Sequence, residues 1–263
     1  MPGMSVDFRS LFHAASALWE AAETEDGAVG RGLAEMLGAL AAYDYCVIFA
    51  YRGEARPIDL HSSFEAQDYH VFVTLYQQGP YLLDPFYRAA TLPRPGVWRM
   101  RELAPDRFFA SEYYRTYYVE TRLAEEIGFF IPVEGGATVV LSLMRAQASG
   151  AFRAADIDLL RKAEPLVAAI IRRAWRDLAQ RFVQSEPAPQ PAAKSGERQP
   201  LTEREKTIIE LVLQGHSSES IGLTLGIATG TVKVHRRNIY RKLGIASQTQ
   251  LMSHYLENLK AKG

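Results

Sequence analysis

Residues 185–200 read SEPAPQPAAKSGERQP, and this stretch constrains the fold more than any other. Four prolines in sixteen positions, with small residues and mixed charges between them, cannot build a packed core. Proline also holds such a segment extended. The sequence therefore divides into a front domain over 1–184, a linker over 185–200 and a tail domain over 201–263. A chain of 263 residues is long enough for two domains that each bury a core. With 48% apolar and 23% charged residues, the composition is that of a soluble globular protein.

Charge separates the same two parts. The whole chain carries 30 basic and 30 acidic residues. From Pro200 onward there are nine Lys or Arg against five Glu, a surplus of four that the rest of the chain balances with a deficit of four. A basic tail on an acidic body points to a polyanion as the partner of the tail alone. No apolar run approaches the length of a membrane span, so no membrane contact is expected. Residues 1–10 lack a basic region followed by an apolar core, which predicts no signal peptide and a cytoplasmic protein. Cys46 is the single cysteine, so neither a disulfide nor a multi-cysteine metal site can form within the chain. Placed mid-strand, it is expected to be buried and inert.

In the front domain, residues 7–23 and 28–41 carry apolar side chains at helical spacing. Residues 43–51 (YDYCVIFAY) are β-branched and aromatic, which predicts a central strand, and 58–64 can pair with it across Arg52-Gly53. A helix is expected over 67–77, a proline-rich loop over 92–96 and a second helix over 111–121. Strands over 127–133 and 137–145 are joined by Glu134-Gly135-Gly136, a hairpin signal. A long amphipathic helix is expected over 156–182, and the length of its apolar stripe makes it the natural seam of a homodimer. The fold class is therefore α+β: an α/β/α sandwich with a mostly antiparallel sheet, followed by an all-α four-helix domain.

That tail domain is sharply punctuated. Thr202 and Glu205 form a capping box that opens a helix ending at Gly215. A short helix over 218–225 ends at Gly226, a third spans 229–243 to Gly244, and a fourth is expected over 247–259. On the third helix Val232, Ile239 and Leu243 are spaced to face inward, whereas Lys233, Val234 and Arg237 project oppositely. A short helix, a tight turn and a longer basic helix can enter the DNA major groove. Arg and Lys can donate to guanine O6 and N7, and a valine can touch a thymine methyl.

The tail sequence LTEREKTIIELVLQGHSSESIGLTLGIATGTVKVHRRNIYRKLGIASQTQL resembles the LuxR-type helix-turn-helix over about a quarter of the chain. The resemblance implies that Lys233, Val234 and Arg237 read bases and that Thr231 and Lys242 lie on the phosphate side. Arg236 and Arg241 flank the reading face, and the fourth helix would supply a dimer contact. Ala228 stands where the pattern has a capping serine, leaving Thr229 as the available cap. Gly222 is a poor helix former in the second helix, and Gln248 replaces an arginine.

The order of elements in the front domain resembles PAS, GAF and autoinducer-binding sensor domains, a likeness of fold rather than chemistry. A phosphoryl-accepting receiver is not expected, because YDYCVIFAY lacks an acidic pair. Residues 81–98 resemble part of an acyl-homoserine-lactone pocket through Asp84 and Trp98. The upstream Trp-Tyr pair is not matched: Val71 falls near the Trp position and Tyr76 about one residue out of register. Tyr113 and Tyr117, within an aromatic run at 108–118, could orient a small ligand. The candidate effector residues are thus Tyr76, Asp84, Trp98, Tyr113 and Tyr117. His61 and His70 have no partner spacing, so no metal is expected.

Nucleophile elbows, phosphate loops, HExxH and dinucleotide fingerprints do not occur, so neither catalysis nor a cofactor is expected. The sequence reads as a dimeric DNA-binding regulator of a pseudo-palindromic operator, controlled by a small molecule in its front domain. One alternative is a ligand-independent regulator whose front domain only associates with protein. A lactone receptor is the other.

Overall fold

A computed structural model describes residues 8–21, 26–92, 94–115, 119, 121–183 and 200–260. The expected linker, apart from Pro200, and Tyr117 lie outside them, as does part of the helix expected over 111–121. The chain divides into two compact units. The first comprises Met1–Thr74, Phe86–Leu103 and Arg122–Pro187, and the second Leu75–Pro85, Ala104–Thr121 and Ala188–Gly263.

In the first unit, helices α1 (Phe8–Ala21) and α2 (Asp26–Gly38) lead into strands β1 (Tyr45–Tyr51) and β2 (Ile58–Ser62). A short α3 (Ala66–Tyr69) continues as a π-turn over His70–Leu75. Then come α4 (Pro85–Thr91), β3 (Gly96–Arg99), α5 (Met100–Leu103), β4 (Leu123–Val133) and β5 (Ala137–Ala146). Two helices, α6 (Ala154–Ala174) and α7 (Leu178–Val183), close the unit. The sheet order is β2-β1-β5-β4-β3, and every ladder is antiparallel.

Alternation along the strands sorts side chains to two faces. Cys46, Ile48 and Ala50 of β1 join Phe129 of β4 and Leu141 of β5 against Leu33 and Met36 of α2 and Leu160, Val167 and Ile171 of α6. The opposite face is covered by α4. Phe86 meets Phe130 edge-on with centroids 5.1 Å apart, Tyr87 lies 5.9 Å from Tyr51, and the Thr138 hydroxyl donates to the Ala90 carbonyl at 2.8 Å. With both faces buried, these strands read as continuous apolar runs, which is why they were visible in sequence.

Three features depart from the sequence expectation. First, β3 and α4 emerge from a stretch with no periodic signal. Buried Glu125 pins β3 and α5 to β4 by accepting from Arg99 and, at 3.1 Å, from Arg101, and it takes the Phe152 amide at 2.8 Å. Second, the long helix breaks at Trp175, whose φ of −118° and ψ of 36° leave the helical region while its ring stays buried. Exposed Arg176 and Asp177 form the turn, and α7 then returns Leu178 and Phe182 to the same core. Third, the apolar stripe expected as a dimer seam is used by this unit's own sheet: Ile157, Leu160, Val167, Ile170 and Ile171 are buried, and Leu166 is 43% exposed. No helix among the described residues is long and apolar enough to cross a membrane, and they hold no cluster of metal-ligating side chains.

The second unit contains α8 (Glu203–Leu213), α9 (Ser218–Leu225), α10 (Thr229–Leu243) and α11 (Gln248–Lys260). It also holds two single 3-10 turns, Pro80–Leu83 and Phe108–Ala110.

Candidate nucleic-acid interface

Local sequence marks the starts of α8 and α9 and the ends of α9 and α10. Thr202 Oγ1 accepts from the Glu205 amide at 3.2 Å, and Glu205 Oε2 accepts from the Thr202 amide at 2.8 Å. Ser217 caps α9 by accepting from the Ser220 amide at 3.0 Å. Gly226 and Gly244, with φ of 64° and 67°, make the left-handed turns that end α9 and α10. Ala228, which has no side-chain bond, is itself the N-cap of α10, so Thr229 is the first helical residue and not its cap. Gly222 is where the backbone comes close: a Cβ there would sit 2.7 Å from the Ile227 carbonyl oxygen. The loss of helix propensity at that position is therefore exchanged for a tight turn between α9 and α10.

The core under this frame is formed by Ile208, Val212, Ile221, Val232, Ile239, Leu251 and Met252, all 3% exposed or less. Burial of Val232 and Ile239 fixes the rotation of α10. At 100° per residue, Lys233, Val234 and Arg237 must then face outward. All three are exposed, Val234 at 44%, and Thr231 and Arg241 are exposed as well. Arg241 also bonds Asn238 Oδ1 at 3.2 Å. The result is a cationic ridge with an apolar centre on a helix that cannot roll.

Two of the residues expected on the DNA side are engaged within the fold. Lys242 has a side chain only 15% exposed and donates to Glu205 Oε2 at 2.7 Å, tying the end of α10 to the capping box of α8. Burial alone would raise the Glu205 carboxyl, but hydrogen bonds from Lys242 and Thr202 outweigh it and hold the group below its ordinary value. The half-buried Arg236 reaches Ser218 Oγ at 3.3 Å, Tyr240 Oη at 3.4 Å and Gln248 Oε1 at 3.5 Å. Gln248 in turn donates to the Val212 carbonyl at 3.3 Å. Its amide thus accepts from one helix and donates to another, which an arginine could not do. Arg204, which sequence reasoning passed over, clamps α8 to the end of α9 by donating to the Leu225 carbonyl at 2.9 Å. Nothing in linear spacing distinguishes such a clamp from a surface arginine.

The effector candidates are not all brought together. Tyr76 and Asp84 meet within the second unit, the phenol donating to Asp84 Oδ2 at 2.8 Å. Tyr113, in the same unit, is 2% exposed and lies 6.0 Å from Phe108. Trp98 belongs to the first unit and braces its own loop: its indole N–H donates to the Arg94 and Pro95 carbonyls at 3.1 and 3.3 Å, and the Arg94 guanidinium lies 5.1 Å over the ring. A 380 Å³ surface hollow in the first unit, between Pro95, Gly96, Val97, Arg161 and Glu164, contains none of the candidates.

A capped helical frame that presents a basic helix of fixed rotation defines a helix-turn-helix transcriptional regulator. Residues 199–255 match the family model described as bacterial regulatory proteins, luxR family. Over 188 residues the chain is 33% identical to an HTH-type transcriptional regulator in the exeN 3′ region of Aeromonas salmonicida, covering 67% of this chain and 94% of that one. The chain belongs to the LuxR family of transcriptional regulators. Its fold is also similar to that of the LBD domain of VqsR from Pseudomonas aeruginosa, with a TM-score of 0.54 at 27% identity over 64% of this chain and 96% of that one. A likeness to the N-acylhomoserine lactone-dependent LuxR family transcription factor CepR2 of Burkholderia cenocepacia has a TM-score of 0.48 at 20% identity, over 65% and 98% of the two chains. The chain is a LuxR-type regulator, and its likeness to the VqsR domain is one of fold.

Proposed function

We propose that this protein reads DNA sequence through Lys233, Val234 and Arg237 and does so as a homodimer on a pseudo-palindromic operator. The observation that carries the reading is the fixed rotation of α10: Val232 and Ile239 are at most 1% exposed, while the three reading residues face outward. Arg237 is long enough to donate in bidentate fashion to guanine, and Val234 between the two cations suits a thymine methyl. Thr231 and Arg241 set register from the phosphate side. Two such modules related by a twofold axis would read half-sites about one helical turn apart. The test is selection of duplexes from a random-sequence pool by the full-length protein. Enrichment of an inverted repeat supports the reading, and recovery of unrelated sequences removes it.

The front domain is proposed to bind a small effector that sets DNA affinity. Its support is the likeness to the VqsR LBD domain. A ligand-independent front domain is favoured by a different observation. A Cβ at Gly128 would sit 2.8 Å from both the Phe86 and Phe130 rings, so the face of the sheet under α4 is closely filled there. Thermal unfolding against a panel of small molecules, acyl-homoserine lactones included, separates the two. A bound effector at ~100 times its Kd adds about 2.7 kcal/mol. A shifted transition supports effector control, and silence across the panel supports association alone.

A further inference from the structure

The turn between α8 and α9 is held by chain from outside the four tail helices. The Gly215 carbonyl accepts from the Arg107 amide at 3.0 Å, and Asp106 Oδ1 accepts from the Ser217 amide at 3.0 Å. Gln214 Nε2 donates to the Leu82 carbonyl at 3.5 Å. All these residues fall in one compact unit. The approach is close enough to restrict side chains: a Cβ on Gly215, at φ of 96°, would stand 2.7 Å from Phe108 Cα and 3.0 Å from its amide nitrogen. Gly215 therefore serves both as a left-handed helix terminator and as the floor on which the 106–108 backbone rests. Burial works against the Asp106 carboxylate, but hydrogen bonds from Ser217, with the charge of the nearby His216, outweigh it and hold the group below its ordinary value.

The position of the contact gives it a consequence. In a helix-turn-helix the first of the two helices crosses the DNA backbone, and amides at helix starts are among the groups that bind phosphate. Here α9 is that first helix, and the Ser217 amide at its start is already occupied by a carboxylate. We propose that the segment around Asp106 is an internal clamp on the helix-turn-helix, with the Asp106 carboxylate standing where a DNA phosphate would otherwise bind. This inference rests on the reading of α8 to α11 as a DNA-binding module. The clamp opposes DNA in two ways: it fills the amide, and it places a negative charge beside the path of the backbone. The chain that carries it lies in the same unit as Tyr76, Asp84 and Tyr113, so a change at those side chains can reach the clamp within that unit.

The test compares full-length wild type with Asp106→Ala and Asp106→Asn, titrated onto a mixed-sequence duplex of about 30 base pairs between 50 and 200 mM salt. Asp106 is exposed, so neither change opens a core cavity, and far-UV circular dichroism checks that both variants fold. Releasing the amide should tighten binding several-fold in Asp106→Ala, with Asp106→Asn intermediate. One added phosphate contact should also steepen the plot of log affinity against log salt by about one unit. Wild-type binding with affinities and salt slopes unchanged in both variants would overturn the clamp and leave the DNA-binding reading standing. Failure of all three proteins to bind duplex would overturn both.

Discussion

Lys242 Nζ lies 2.7 Å from Glu205 Oε2, and this pair joins the last turn of α10 to the first turn of α8. Both side chains are largely buried, at 15% and 5% exposure, so the pair behaves unlike a surface bridge. Lys242→Met keeps most of the packing and leaves Glu205 buried with only the Thr202 groups as donors. The expected cost is about 3 kcal/mol, at the lower end for a broken buried pair because Thr202 still compensates. Tryptophans 19, 98 and 175 all lie in the first unit, so their fluorescence reports that unit alone. Urea unfolding should therefore show part of the helix loss by circular dichroism, that of α8 to α11, moving to lower urea while the tryptophan transition stays in place.

The same pair sets a pH dependence. Glu205 titrates below its ordinary value when folded, so its stabilisation is complete above the ordinary carboxylate range. It is lost as pH falls from that range through the lowered folded value. The urea midpoint for loss of α8 to α11 should drop as pH falls below the ordinary glutamate range, and Lys242→Met should flatten the drop. An equal slope in the variant would assign the acid sensitivity to other carboxylates.

Cys46 is fully buried among Ile48, Leu141 and the apolar residues of α2, and burial pushes its thiol up to about 12. The thiolate is the reactive form, so the native protein should leave a thiol reagent unconsumed at neutral pH. One equivalent should react as the first unit unfolds. Prompt reaction of the native protein would mean that the sheet opens readily.

The helices of the second unit were legible because local chemistry marks many of their ends: Thr202 with Glu205, Ser217, Gly226 and Gly244 all sit where the backbone turns. Inward and outward faces of α10 followed from spacing, since Val232 and Ile239 are seven residues apart. What spacing could not show was the use of each exposed-looking charge. Lys242 and Arg236 share the helix with Lys233 and Arg237, and only the positions of Glu205 and Gln248 in space turn the first two inward. In the first unit β1 and the β4–β5 hairpin were legible as apolar runs, whereas β3, four residues long, depends on Glu125 more than twenty residues away. The effector residues were least legible. Trp98 spends its indole on its own loop, and Tyr76 and Asp84 acquire meaning only through the bond between them.

The most direct measurement is the affinity of Arg237→Ala, as full-length protein, for a duplex selected by the wild type, beside a scrambled duplex at the same salt. Arg237 is exposed on a helix whose rotation is fixed by buried residues, so the change should leave stability intact. Arg237→Ala should lose about 1–3 kcal/mol on the selected duplex, with a smaller change on the scrambled one. Equal affinity of variant and wild type for the selected duplex would contradict the assignment of α10 as the reading helix.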